Sequence, residues 1–246
     1  MWGRGGEQQP ARVTYLDPEC PLNISYPPPP PHVRDWKGES QVRRGQTGGS
    51  VRETIRSVLG REWAFPHVRV VYPTAEDRSD IVVGQVRHEW LHRDVDNPAF
   101  REILESSHVT LLQLAKVMEA EVRHGIPRHR ILIGGFSMGG TMALHVAYRF
   151  QRALAGVFCL GGYLSSTSPV YEVIKGLDAA RLPALFQAHG ANDITVKEES
   201  ASQTFARLRE LGVNGEYHVI LNQGHELSAE QLTLLSSWVE SMLPRE

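Results

Sequence analysis

The sequence predicts an α/β fold, a mostly parallel sheet with helices on both faces. Two observations carry that prediction. From Ser50 onward, runs with helical periodicity alternate with short strand-like runs, the order that builds a parallel sheet through helical crossovers. The strand-like runs are also apolar throughout, as strands covered on both faces are, instead of alternating between polar and apolar.

The elements follow in order. SVRE, Ser50 to Glu53, reads as a capping box opening a helix with Val51, Ile55 and Leu59 on one face. VRVVYP, Val68 to Pro73, is a β-branched run stopped by proline. Residues 100 to 124 place Leu104, Leu111, Ala115, Met118 and Val122 on one helical face, and Gly125 with Pro127 ends that helix. ILI, Ile131 to Ile133, is a buried strand, followed by a helix running through ALHVAYRF. AGVFCL (Ala155 to Leu160) and ALFQAH (Ala184 to His189) are further apolar strands. A helix over 197–211 shows Ala201, Phe205, Leu208 and Leu211, with Gly212 as its stop. YHVIL, Tyr217 to Leu221, is the last strand, and LTLLSSWVESML closes the chain as a helix.

Residues 1–49 differ in kind. Five prolines, Pro27 to Pro31, precede the polar run DWKGESQVRRGQTGG. A proline run forms extended polyproline II and cannot join a sheet ladder. The expectation is a Pro-rich, disordered segment over 1–49 and one domain over 50–246. A docking role for the proline run is the lesser reading, since most short proline runs are linkers.

Composition narrows the function. A net charge of −2 gives no electrostatic footprint for a nucleic-acid partner. Cys20 and Cys159 are too few for a disulfide framework or a thiolate metal site, and fit a reducing compartment. No apolar run approaches the roughly 20 residues of a transmembrane segment. MWGRGGEQQPARV lacks the apolar core of a signal peptide, so the sequon Asn23-Ile24-Ser25 is read as chance. The expected setting is cytoplasmic, with no metal and no cofactor.

The chemistry centres on IGGFSMGG, Ile133 to Gly140. A strand, then G-x-S-x-G, then a helix is the context of a nucleophile elbow. Glycines at 135 and 139 allow so tight a turn, and Ser137 then stands at a helix N-terminus, where negative charge is favoured. The Met138 backbone N–H is the candidate donor to an oxyanion formed there. A serine needs a base and the base an orienting carboxylate. Asp193, in HGANDITV, follows the ALFQAH strand; His225, in NQGHELS, follows YHVIL. All three leave the same sheet edge in the order serine, acid, histidine. Asp178, His145 and His218 do not share that placement. Asp193 also suits a local turn role, standing ahead of a T-x-x-E box at Thr195.

RILIGGFSMGGTMALHVAYR, with HGANDITV and NQGHELS, resembles the acyl-protein thioesterase and lysophospholipase family of α/β-hydrolases, from about Ser50 to Pro244. The resemblance implies cytosolic hydrolysis of acyl esters or thioesters, S-acylated proteins included. It also implies Ser137, Asp193 and His225 as the triad, no cofactor, and transient contact with a membrane surface.

Two stretches depart from the family pattern. Where the family carries an apolar strand ending in H-G-x-G-D-x-G, this chain has SQVRRGQTGG, with Val42 and Arg43 at the His-Gly positions and Gly45 and Gly48 retained. Arg44 then takes the place of the second oxyanion donor. Residues 32–46 offer almost no apolar side chains, so the interior strand beside the nucleophile strand is expected to be missing, with activity impaired as the alternative outcome. Trp90-Leu91-His92 stands where the family usually has W-F-D.

Overall fold

A computed structural model describes residues 11–16, 48–74, 77–80, 85–88 and 104–245, with side chains described for 48–74 and 114–245. Six parallel strands form the main sheet in the order β2-β1-β5-β6-β7-β8. They are β1 (Ala11–Leu16), β2 (Val68–Val71), β5 (Ile131–Phe136), β6 (Gly156–Leu160), β7 (Ala184–Gly190) and β8 (Gly215–Ile220). Two further strands, β3 (Asp77–Asp80) and β4 (Gln85–His88), pair antiparallel as a separate ribbon. The helices are α1 (Gly48–Leu59), α2 (Leu104–Arg123), α3 (Met138–His145), α4 (Pro169–Ile174), α5 (Glu198–Glu210) and α6 (Ala229–Met242).

The apolar strands bury both faces, as their sequences require. Ile131, Ile133, Val157, Cys159 and Leu185 point to one side, into a core shared with α2, α3, α4 and α5. Their neighbours Leu132, Phe158, Leu160, Phe186 and Ala188 point to the other, against α1 and α6. The period of two along each strand thus separates two cores, each closed by its own helices.

The interior strand is present. β1 runs parallel between β2 and β5, with Arg12 opposite Ile131 and Leu16 opposite Gly135. The expectation of an empty slot beside the nucleophile strand is therefore corrected. The slot is filled from ARVTYL, upstream of the proline run, and not from residues 32–46. Val13, Thr14 and Tyr15 are good strand formers, but β5 lies so far along the chain that no local pattern can announce the pairing. The expected disorder of residues 1–10 and 17–47, the proline run included, lies outside the described residues, while Gly48 and Gly49 already belong to α1.

Smaller differences sit at helix ends. α1 begins at Gly48, so Ser50 lies inside the helix and its carbonyl accepts from Thr54 Oγ1 at 3.0 Å. Glu53 meets Arg56 instead of reaching back, so the SVRE capping box does not form. Among the described side chains of α2, Leu114, Met118 and Glu121 are buried and Val122 packs on the same core. Met118 and Val122 thus lie on the face the sequence suggests, while Leu104 and Leu111 fall outside the described side chains. After α3 the chain continues as a π-turn over Val146–Phe150.

Candidate active site

β5 ends at Phe136, and the chain turns into α3 through Ser137. Ser137 adopts φ 53° and ψ −120°, a region that a residue with a side chain enters only under strain, at about 1–3 kcal/mol. Surrounding bonds hold it there. Its N–H donates to Leu160 O at 2.7 Å, and its own carbonyl accepts from the Thr141 N–H at 3.1 Å. Ser137 occupies the N-cap position of α3, yet its hydroxyl makes no capping bond. It is left for other work.

Close backbone approach is also written at Gly140. A Cβ there would sit 2.8 Å from both the Gly135 carbonyl and Cys159 Sγ. Helix α3 can therefore lie directly on β5 and β6 only with glycine at that point.

The hydroxyl faces His225. Ser137 Oγ lies 2.9 Å from His225 Nε2, and His225 Nδ1 lies 2.6 Å from Asp193 Oδ2. A carboxylate only accepts, so Nδ1 carries the hydrogen and Nε2 presents its lone pair to the serine O–H. The ring of Phe136 packs on the imidazole at 4.8 Å between centroids.

Two loops at the carboxyl edge bring these partners in. The Asp193 loop leaves β7 and the His225 loop leaves β8, and their backbones bond to each other. Ala191 N–H donates to Ile220 O and Asn192 N–H to Gln223 O, both at 2.9 Å. Gly190 makes that contact possible, since a Cβ would meet Gln223 O at 2.4 Å. Within the second loop, Gln223 Nε2 donates to Glu226 O at 2.7 Å, and Asn222 turns the chain at φ 59°.

The Asp193 side chain is wholly buried, while His225 keeps 16% of its side-chain surface. A buried carboxylate must be satisfied by donors. Oδ1 accepts from the Thr195 and Val196 N–H groups at 2.9 and 2.8 Å. Oδ2 accepts from His225, and His189 Nε2 stands 3.2 Å away. Burial, the largest influence, would push this carboxyl up. The bonds from His189, then His225 and the Val196 N–H, more than offset it and hold Asp193 well below the usual carboxylate range. The local-turn reading and the acid reading of Asp193 both describe the geometry, one on each oxygen. The T-x-x-E box itself does not form, for α5 starts at Glu198 with Lys197 as its N-cap.

The structure thus brings Ser137, Asp193 and His225 into one hydrogen-bonded chain. Met138 is the first residue of α3, so its N–H has no acceptor within the helix and is free to serve an oxyanion. Arg44 and Trp90-Leu91-His92 lie outside the described residues. The histidines and carboxylate set aside by the sequence have other partners. Asp178 caps a short 3-10 turn at Ala180 N–H, His218 meets Glu216 at 2.9 Å on β8, and His145 is buried in α3 beside Arg149. Sequence reasoning misses one participant. His189, inside the same HGANDITV stretch, touches the acid; it stands at the end of a strand, where no spacing in the sequence marks the contact.

A strained serine at a strand-to-helix turn, a histidine and a buried acid on a parallel sheet define an α/β-hydrolase. The sequence matches the phospholipase/carboxylesterase family over residues 45–243, and the chain belongs to that family of hydrolases. More closely, it is similar to lysophospholipase-like protein 1 of Mus musculus, 39% identical over 203 residues, covering 82% of this chain and 84% of that protein. Acyl-protein thioesterase 1 homolog 1 of Dictyostelium discoideum is 26% identical over 82% of this chain and 88% of that one. The fold is shared with the crystal structure of Zea mays acyl-protein thioesterase 2, at TM-score 0.72 and 18% identity over 98% of this chain and 97% of that chain. It is shared too with Arabidopsis thaliana SOBER1, at TM-score 0.67 and 19% identity over 95% and 99% of the two chains. Among the described residues, no helix is long and apolar enough to cross a membrane.

Proposed function

We propose that the chain cleaves acyl esters or thioesters, S-acylated proteins among them, through an acyl-enzyme formed on Ser137. The observation that supports this most is the Ser137–His225–Asp193 hydrogen-bonded chain at the carboxyl edge of the sheet. His225 Nε2 takes the proton of Ser137 Oγ as that oxygen bonds to the acyl carbon. The tetrahedral oxyanion is stabilised by the Met138 N–H and the N-terminal end of α3, with the Arg44 N–H as the second donor that the sequence suggests. The imidazolium then protonates the leaving alkoxide or thiolate as the carbonyl re-forms. In the second half, His225 takes a proton from water, the resulting hydroxide adds to the acyl carbon, and Ser137 leaves with that proton. Asp193 holds the His225 tautomer throughout.

The named activities of the relatives, thioesterase and carboxylesterase, favour acylated substrates. A cytoplasmic setting and transient contact with a membrane surface, where lipid-modified substrates reside, complete the reading. The rival, a hydrolase-fold protein with impaired activity, rested on a missing interior strand and a lost oxyanion loop; β1 fills the strand, while the loop ahead of α1 lies outside the described residues. The test is turnover of p-nitrophenyl butyrate and of an S-palmitoylated peptide by purified protein. The wild-type chain should hydrolyse both, and Ser137→Ala should be inactive on both. Equal rates for the two proteins would refute the proposal.

A further inference from the structure

The serine, histidine and acid leave one side chain of the cluster without a role. His189 is fully buried at the end of β7. Its Nε2 lies 2.8 Å from Val196 O and 3.2 Å from Asp193 Oδ2. A carbonyl oxygen only accepts, so Nε2 carries the hydrogen, and that one N–H is shared between the Val196 carbonyl and the carboxylate. An apolar side chain would occupy so buried a position without the cost of desolvating an imidazole. What the imidazole adds is these two bonds.

Their placement differs from that of the other donors. Thr195 and Val196, which hold Oδ1, belong to the same loop as Asp193 and move with it. His225 belongs to the group being oriented. His189 instead stands on a strand paired to β8, with His189 opposite Val219. It refers the carboxylate to the sheet and, through Val196 O, ties down the far end of the loop.

We infer that His189 is a positioning residue: its Nε2–H fixes Asp193 Oδ2 toward His225 and thereby sets the aim of the general base at Ser137. The inference rests on reading Asp193 as the triad acid. With His189 present, each carboxylate oxygen has two donors, matching the roughly four acceptor sites of a carboxylate. Without it, Oδ2 keeps only its bond to His225 among the described residues, and the triad is referenced to a loop alone. The lowered titration of Asp193, to which the contact with His189 contributes, accords with this.

The experiment compares the full-length chain with His189→Gln, whose amide nitrogen reaches the position of Nε2, and His189→Asn, which carries the same amide one methylene short. Activity on p-nitrophenyl butyrate, resolved into kcat and KM, is read beside thermal melting. His189→Asn is expected to lose about 10- to 100-fold in kcat with KM within about twofold, the scale of a misaimed catalytic group, while His189→Gln stays within about threefold of wild type. Wild-type kcat in both variants overturns the inference. So does an equal loss in both, in kcat or in cooperative folding, because the donor would then not be the cause. An inactive wild-type chain overturns the hydrolase reading and this inference together, and is told apart by that first measurement.

Discussion

The turn that carries the serine and the loops that carry its partners hold their side chains by opposite means. Ser137 is held by strain. Its positive φ survives because Gly140 lets α3 press on β5 and β6, and because bonds to Leu160 and Thr141 lock the backbone. Asp193 and His225 are held by satisfaction. Every acceptor of the buried carboxylate has a donor, and the two loops close on each other through backbone bonds. The contrast teaches that the nucleophile depends on space and its activators on hydrogen bonds. Changes of volume should therefore damage one side, and isosteric changes of polarity the other.

The largest expected effect is isosteric. Asp193→Asn keeps the volume but gives the side chain an amide in place of a pure acceptor, so His225 can settle in the wrong tautomer. In serine hydrolases that change costs about 10⁴ in kcat. Steady-state kinetics on p-nitrophenyl butyrate should show a loss of that order with the fold intact by circular dichroism. Retention of more than about a tenth of wild-type kcat, against that expected loss, would dissolve the contrast.

A change of volume comes next. Gly140→Ala puts a Cβ 2.8 Å from the Gly135 carbonyl and from Cys159 Sγ. Overpacking of this kind costs about 1–3 kcal/mol, and each kcal/mol lowers Tm by roughly 2–4 °C in a domain of this size. The variant should melt several degrees lower and label more slowly with a fluorophosphonate. An unchanged melting curve would show that the elbow has slack.

The smallest effect lies in pH. The folded-state pKa of Asp193 is below the unfolded value of about 3.9. Its charge therefore adds stability that is complete above about pH 4 and fades as pH falls toward the folded value. Between about pH 4 and pH 2 the wild-type unfolding midpoint should drop more steeply than that of Asp193→Asn. Parallel curves would mean that the carboxylate gains nothing from its four donors.

Much of the site is legible in the chain itself. Ser137, Asp193 and His225 each follow an apolar run, and a parallel sheet sends all such carboxyl ends to one edge. That is why three distant positions can be read as neighbours. β1 is not legible, because ARVTYL is only six residues long and its partners, β2 and β5, lie far along the chain. The family pattern also points to the residues just ahead of α1 for this strand, while the chain supplies it from before the prolines. β3 and β4, with polar DRSD and QVRH, carry no apolar signal. His189 stands within HGANDITV, yet a single sequence cannot say which way a strand's last side chain points.

One measurement bears most directly on the nucleophile: the mass and position of the adduct left when the full chain is treated with a fluorophosphonate and then digested. A single adduct on the peptide containing Ser137, absent from His225→Ala under the same exposure, is the predicted outcome. An unmodified Ser137 peptide from the folded wild-type chain, or modification at another serine, would contradict it.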